Sequence, residues 1–378
     1  MVVTKNIVVV GDGAAGIMTA NKLRYMNSEK DARVTLIGNN VKNFCRSDGP
    51  QIALRMKKFT ESVKPVNFLL NSKVDFVRDE VTQVRPKNRL LYLKSGKKYD
   101  YDYLVLAPGL ADAPEKLPGY EGEAKHMLDM QHALELGKTL ENLAEGTVIV
   151  ATNGASAPNL MGFFELALVY TEMLAHIKSK IKVKFVSPDN GAFPIQELSA
   201  FFADKFKSLG IELVTDFKVT SINQKNKEIV STENKAINYD VLVLPPPLKT
   251  REFLNNDDLL GSEGSKNINK SRLTVKDYDD VYISGDAFDF LAEELSGSFV
   301  TQSRFISYRI SSDINSSFNY RQYTGSVTLS AMTGLSKGIT VSYTYEKRPK
   351  APTESAADFR FKKHYSDFYF SSLLRGII

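Results

Sequence analysis

Nine residues near the start of the chain, Val8-Val9-Val10-Gly11-Asp12-Gly13-Ala14-Ala15-Gly16, restrict the fold more than any other feature. An apolar run breaks into glycines spaced G-x-G-x-x-G and passes into residues that suit a helix. Each glycine has its own physical use. Gly11 permits a tight turn, Gly13 lets backbone N–H groups approach a pyrophosphate, and Gly16 lets the helix lie close on the sheet. The helix start at Gly13, Ala14 and Ala15 offers partial positive charge to phosphate. The motif predicts a strand–turn–helix unit that binds a dinucleotide. It normally places an acid at the end of the second strand to hold a ribose. Here that end reads Leu36-Ile37-Gly38-Asn39-Asn40, without an acid, which leaves Asn39 as the candidate ribose partner.

Strand and helix patterns alternate beyond the motif. Apolar runs at Val34–Ile37, Val74–Val77 and Tyr103–Ala107 predict strands, with a hairpin of Val81–Val84 against Leu90–Leu93. A second alternating unit opens at Thr147–Ala151 and runs through a helix near Leu160–Lys178, a strand at Val183–Val186, a helix near Gln196–Leu209 and strands at Glu212–Thr215 and Val241–Leu244. Val281–Ser284 predicts one more strand, ahead of a helix near Gln302–Ser317. The pattern predicts an α/β fold with two Rossmann-like dinucleotide-binding domains and a C-terminal α+β tail. The expected division is 1–110 with 246–320 as a discontinuous first domain, 111–245 as the second, and 321–378 as the tail.

Composition removes several classes. With 43% apolar and 25% charged residues, the chain is neither disordered nor fibrous. No run nears the ~18 apolar residues of a spanning helix. Met1-Val2-Val3-Thr4-Lys5 leads directly into a strand, with no room for a signal peptide, and one cysteine, Cys45, suits a reducing cytoplasm. A net charge of +5 reads as a solvated basic surface, and no motif supports nucleic-acid binding. The four histidines, His126, His132, His176 and His364, give no metal-ligand spacing, so no metal is expected.

Two further segments are buried strands ending in turns: Leu104-Val105-Leu106-Ala107-Pro108-Gly109, and Val281-Tyr282-Ile283-Ser284-Gly285-Asp286. With the opening motif they resemble the three FAD signatures of the pyridine nucleotide–disulfide oxidoreductase superfamily. The resemblance implies that Gly285 and Asp286 hold the ribityl chain of FAD, with Ala107, Pro108 and Gly109 flanking the cofactor. Within the superfamily the chain is similar to the sulfide:quinone oxidoreductases and the flavoprotein of flavocytochrome c sulfide dehydrogenase. That similarity rests on Phe44-Cys45-Arg46-Ser47-Asp48-Gly49-Pro50, Pro118-Gly119-Tyr120, Leu244-Pro245-Pro246 and Gly338-Ile339-Thr340-Val341. It implies an FAD-dependent oxidoreductase that moves electrons from a small-molecule donor to a quinone or protein acceptor.

The departures are equally informative. The resembled family oxidises sulfide with two redox cysteines. Counting from Glu165 puts one at Asn159, aligning on Gly154-Ala155-Ser156 puts it at Ala157, and the other falls near Leu329. None is cysteine, so a cysteine-pair mechanism is excluded by count. The family's Pro-Lys after the last signature is replaced by Glu294-Leu295-Ser296-Gly297. Cys45 lies in the loop that the resemblance sets beside the isoalloxazine, with Arg46, and is the candidate for covalent flavin attachment or a lone sulfur acceptor. Glu165 is the candidate proton carrier, expected semi-buried.

The second unit's turn, Ala151-Thr152-Asn153-Gly154-Ala155-Ser156-Ala157-Pro158, lacks the full glycine spacing, and Phe185-Val186-Ser187-Pro188 ends without an acid. Both argue against tight NAD binding. In the tail, Phe361, Tyr365, Phe368, Tyr369, Leu373 and Ile377 recur at helical spacing among basic residues. An amphipathic helix is expected there, covering the chain's own body, joining a homo-oligomer, or lying peripherally on the inner face of a membrane. A type II NADH dehydrogenase and a flavin-bearing partner subunit without turnover of its own are the competing expectations.

Overall fold

A computed structural model describes residues 3–378 except 155–156, 257–258, 296–297 and 318–320. Two parallel sheets dominate. The first runs, in spatial order, Ile268–Asn269, Thr274–Val275, Val281–Ile283, Tyr103–Leu106, Lys5–Val10, Ala32–Gly38 and Asp75–Arg78. Its five central and distal strands pair in parallel, and the first two close the edge antiparallel. Strands covered on both faces need continuous apolar sequence, and Ile7, Val9, Leu104, Val105, Val281 and Ile283 are all fully buried.

The second sheet is parallel throughout, ordered Ala124–Lys125, Val241–Val243, Glu145–Ala151, Lys180–Val186 and Glu212–Val214. Phe164 of the Leu160–His176 helix packs against Phe185, with ring centroids 4.4 Å apart, and against Phe202 of the Gln196–Leu209 helix, also at 4.4 Å. Aromatic pairs at these spacings add stabilisation beyond the area they bury. The chain passes between the two sheets along Leu110–Asp112 and returns along Leu248–Thr250, and these two crossings pair antiparallel. Three-stranded antiparallel sheets cap each unit: Val81–Arg85, Leu90–Leu93 and Lys98–Asp100 in one, Val219–Asn223, Glu228–Ser231 and Ala236–Asn238 in the other.

The tail differs from its expected form. A hairpin of Val327–Met332 and Gly338–Tyr343 packs on the second core. A single amphipathic helix does not follow. The Ala356–Lys363 helix stops at His364, a short Tyr365–Phe368 turn follows, and Tyr369–Leu373 is a π-turn. Tyr369, Phe370, Leu373 and Leu374 join the core of the first sheet, while Phe361 stays 40% and Ile377 64% exposed. The break turns the aromatic stripe so that the tail straps the second core to the first. Asn21 Nδ2 fastens its end to Leu374 O at 2.6 Å, and Lys22 Nζ to Ile378 O at 3.1 Å. Among the described residues no helix is long and apolar enough to cross a membrane.

Candidate functional site

Three strand ends meet at one edge of the first sheet. Val10 pairs with Leu106, and Leu106 with Ile283, so Gly11, Ala107 and Ser284 emerge side by side. Gly11 has φ +105, and a Cβ there would stand 2.1 Å from Ala107 O. A Cβ on Gly16 would meet Gly11 O at 1.7 Å, and one on Gly285 would lie 3.0 Å from the Ala15 side chain. All three sequence signatures therefore converge on the start of the Ala14–Met26 helix.

That start suits a phosphate. Gly13 provides no side-chain cap and the first turn carries no acid, so the unpaired N–H groups and the helix dipole remain available. Positions beyond Gly13 and Gly109 are open, with no atom within 4 Å of an added Cβ. Together with Asp286 across the groove, these residues fit an adenine dinucleotide whose phosphates rest on the helix.

Asp286 opens the Asp286–Leu291 helix and pairs with Arg46 through Oδ2 at 2.5 Å. The turn before it is held by a residue the sequence signatures do not include. Gln302, fully buried, accepts from Gly285 N at 2.6 Å and Ser284 Oγ at 3.1 Å and donates to Asp289 Oδ1 at 2.7 Å. A lone glutamine on the apolar face of the Phe299–Ile314 helix was its only sequence signal.

The end of the second strand holds an acid after all, supplied from elsewhere. Asp12, only 3% exposed, folds over Gly38 and accepts from Asn40 N at 2.7 Å and from the Asn40 side chain. Burial raises the Asp12 pKa, opposed by those hydrogen bonds. Asn39 is exposed beside it.

Behind Arg46 lies a buried ionic cluster. Glu165 is 1% exposed, deeper than the semi-buried position expected of it, because the hairpin and the tail helix both cover it. Its Oε2 accepts from Met332 N at 3.1 Å and faces Lys362 Nζ at 3.3 Å, and Oε1 has no partner. Burial pushes its pKa up and Lys362 pulls it down. Lys362, also 1% exposed, donates to Ser47 O at 2.5 Å and Ser47 Oγ at 2.6 Å. Asp48 pairs with Lys57 at 2.9 Å and accepts from Ser62 Oγ at 2.6 Å. Sequence reasoning missed Lys362 because a lysine among six aromatics in a tail reads as a solvated face.

Cys45 is 1% exposed at the rim of this cluster. Burial, then Asp48, pushes its thiol well above the usual range, against the pull of Lys362 and Lys57. Reactive cysteines show the opposite, an exposed thiol with a lowered pKa. Asn159, one of the two positions matched to a redox cysteine, instead donates from Nδ2 to Arg46 O at 2.8 Å. Ala155 and Ser156 of the second turn, and Ser296-Gly297, lie outside the described residues. The second unit's Lys180–Val186 strand is followed by Ser187, fully buried and bonded through its N–H to Val214 O at 2.9 Å.

The model of the pyridine nucleotide-disulphide oxidoreductase family matches residues 5–296, most of the chain and all three convergent turns. The chain belongs to this family. Its resemblances within the family are broad. A mitochondrial sulfide:quinone oxidoreductase of Dictyostelium discoideum is 24% identical over 99% of this chain and 86% of that protein. The crystal structure of the sulfide:quinone oxidoreductase of Aquifex aeolicus superposes with a TM-score of 0.83 at 19% identity, covering 99% of this chain and 92% of that one. A chain in the cryo-EM structure of the Tetrahymena thermophila mitochondrial ATP synthase superposes with a TM-score of 0.79 at 17% identity, covering 98% and 96%. Membership makes the chain an oxidoreductase-type flavoprotein scaffold. This member, with Cys45 alone, has no cysteine pair.

Proposed function

We propose that the chain is an FAD-dependent oxidoreductase that takes electrons from a small donor and delivers them to a quinone, with no cysteine-pair chemistry. The convergence of Gly11–Gly16, Ala107–Gly109 and Gly285–Asp286 at one helix start carries this reading. When bound, FAD supplies the redox chemistry, and the protein binds, orients and tunes it. The Ala14–Met26 helix start holds the phosphates and Asp286 the ribityl hydroxyls, with Arg46 orienting the Asp286 carboxylate. Asn39 and Asp12 frame the adenosine end.

Glu165 and Lys362 form the proton-handling pair. A carboxylate whose pKa is raised by burial and held against a lysine can take up and release a proton. Among the described residues, Lys362 links Glu165 to Ser47, the chain neighbour of Arg46, which pairs with Asp286. The acceptor is assigned from the quinone-reducing relative, and the exposed Phe361 and Ile377 near the tail's basic residues suit peripheral contact with a lipid surface.

The flavin is held without a covalent bond in this reading, since Cys45 is buried and burial pushes its thiol pKa up. Acid precipitation is expected to leave all the yellow colour in the supernatant; colour retained in the washed pellet would establish a thioether at Cys45. For the function itself, the flavin of the full chain is to be reduced anaerobically and mixed with a short-chain quinone. Rapid recovery of the oxidised flavin spectrum is expected, and a spectrum that recovers no faster than with buffer would refute quinone reduction.

A second reading, a flavin-bearing subunit without turnover of its own, has specific support. Asn159 ties down the Arg46 loop where the resembled enzymes use a redox cysteine, and a chain of the same fold is part of a mitochondrial ATP synthase. It predicts bound flavin that neither quinone nor small donors can turn over.

A further inference from the structure

Two of the four histidines, separate in sequence and assigned no metal-ligand spacing above, meet in the fold. We propose that His126, Asp129 and His132 bind one divalent transition-metal ion of the zinc class. One ligand atom from each residue lies within 4.8 Å of the other two. The imidazoles of His126 and His132 stack with centroids 3.9 Å apart and planes at 29°. Asp129 Oδ2 lies 2.6 Å from His132 Nδ1.

Part of this arrangement has an ordinary cause. Asp129 is the N-cap of the Met130–Glu141 helix and accepts from His132 N at 3.0 Å, so a carboxylate beside a histidine one turn on is a common cap. The cap does not account for His126. That residue follows the Ala124–Lys125 strand, is 4% exposed, and is pressed face to face on His132 from a different element. Among the described residues its ring accepts one hydrogen bond, a long one of 3.4 Å from Leu128 N to Nδ1. Two imidazoles and a carboxylate thus bring one ligand atom each within 4.8 Å of the others.

The donor set selects the ion. Two nitrogens and one oxygen suit zinc, cobalt or nickel, whereas calcium and magnesium take oxygen ligands. Ligands of one zinc ion stand roughly 3–4 Å apart, from bonds of about 2.0–2.2 Å, so small side-chain rotations close the present spacing. Three protein ligands leave a position for water. The side chains of His132 and Asp129, 42% and 48% exposed, form the entrance, and His126 forms the floor. Met127 O lies only 2.2 Å from where a Gly49 Cβ would stand. A bound ion would therefore fix the segment that backs the Cys45–Gly49 loop.

The test is equilibrium dialysis of the chelator-treated full chain against zinc chloride, with metal counted per chain. One zinc ion per chain is expected. His126→Ala and His132→Ala should each weaken binding more than about tenfold, and His176→Ala should leave it unchanged. Asp129→Ser guards against misfolding, because serine caps a helix as well as aspartate does but removes the carboxylate; it should weaken zinc binding while the helix content stays as in the parent. Substoichiometric zinc on the parent chain, or full zinc binding in both His126→Ala and Asp129→Ser, overturns the proposal.

Discussion

Glutamate in place of Gly13 is expected to leave the chain folded and to strip it of flavin. The two outcomes separate because Gly13 differs from its neighbours. Its backbone, at φ −77 and ψ −171, is extended and open to any residue, and no atom lies within 4 Å of an added Cβ. A carboxylate there also interacts favourably with the helix dipole when nothing is bound, by about 0.3–1 kcal/mol. With a dinucleotide bound, that carboxylate occupies the space of the phosphates and repels them. Flavin affinity should fall at least about a hundredfold, equivalent to about 2.7 kcal/mol of lost ligand stabilisation. Alanine at Gly11 or Gly16 has a different expected result, loss of the fold, since each Cβ would lie within 2.1 Å of a carbonyl oxygen. Circular dichroism and flavin absorbance on the same samples check both statements. A Gly13→Glu protein that retains a full complement of flavin would remove the phosphate cradle from the account.

Methionine in place of Lys362 is expected to cost about 3–5 kcal/mol, the usual consequence of leaving a buried charge without its partner. Glu165 would keep only the Met332 N–H, and the two Ser47 acceptors would lose their donor. The cost should depend on pH. Glu165 already has a raised pKa in the folded chain, with burial the main cause and Lys362 opposing it. A carboxyl raised on folding favours the folded state below its unfolded value, and that contribution is lost as pH rises through the folded value. Removing Lys362 raises the folded value further and extends the loss to higher pH. Urea denaturation should therefore show a gap between parent and Lys362→Met that widens as pH rises above the ordinary carboxylate range. The Glu165→Gln/Lys362→Met double variant should recover part of the loss, because no buried charge then remains in the pair. A gap that is constant with pH would mean that Lys362 acts through packing alone.

The first domain's chemistry was legible because glycine spacing and uninterrupted apolar runs report local backbone demands. Gly11, Gly16 and Gly285 are glycines for contacts that the sheet creates directly. The residues that stabilise the site were not legible, since each acts across a long sequence separation. Gln302 holds the Gly285 turn, Lys362 reaches Ser47 and Glu165, and Asp12 reaches around to the end of the second strand. Each looks ordinary in its own segment. The tail misled for a related reason. Its aromatic spacing is helical, but two cores compete for it, and the break at His364 lets Tyr369 and Leu373 face the first core while Phe359 packs on the second. The histidine pair was hidden because its spacing spans the junction of a strand and a helix cap.

The groove over the Ala14–Met26 helix start is proposed to bind FAD against Asp286. That binding is tested most directly by titrating the flavin-depleted full chain with FAD, following flavin fluorescence, alongside Asp286→Ala. Saturable binding of one FAD per chain is expected, lost or greatly weakened in the variant. A chain that takes up no FAD under any reconstitution, or that binds it equally well without the Asp286 carboxylate, would contradict it.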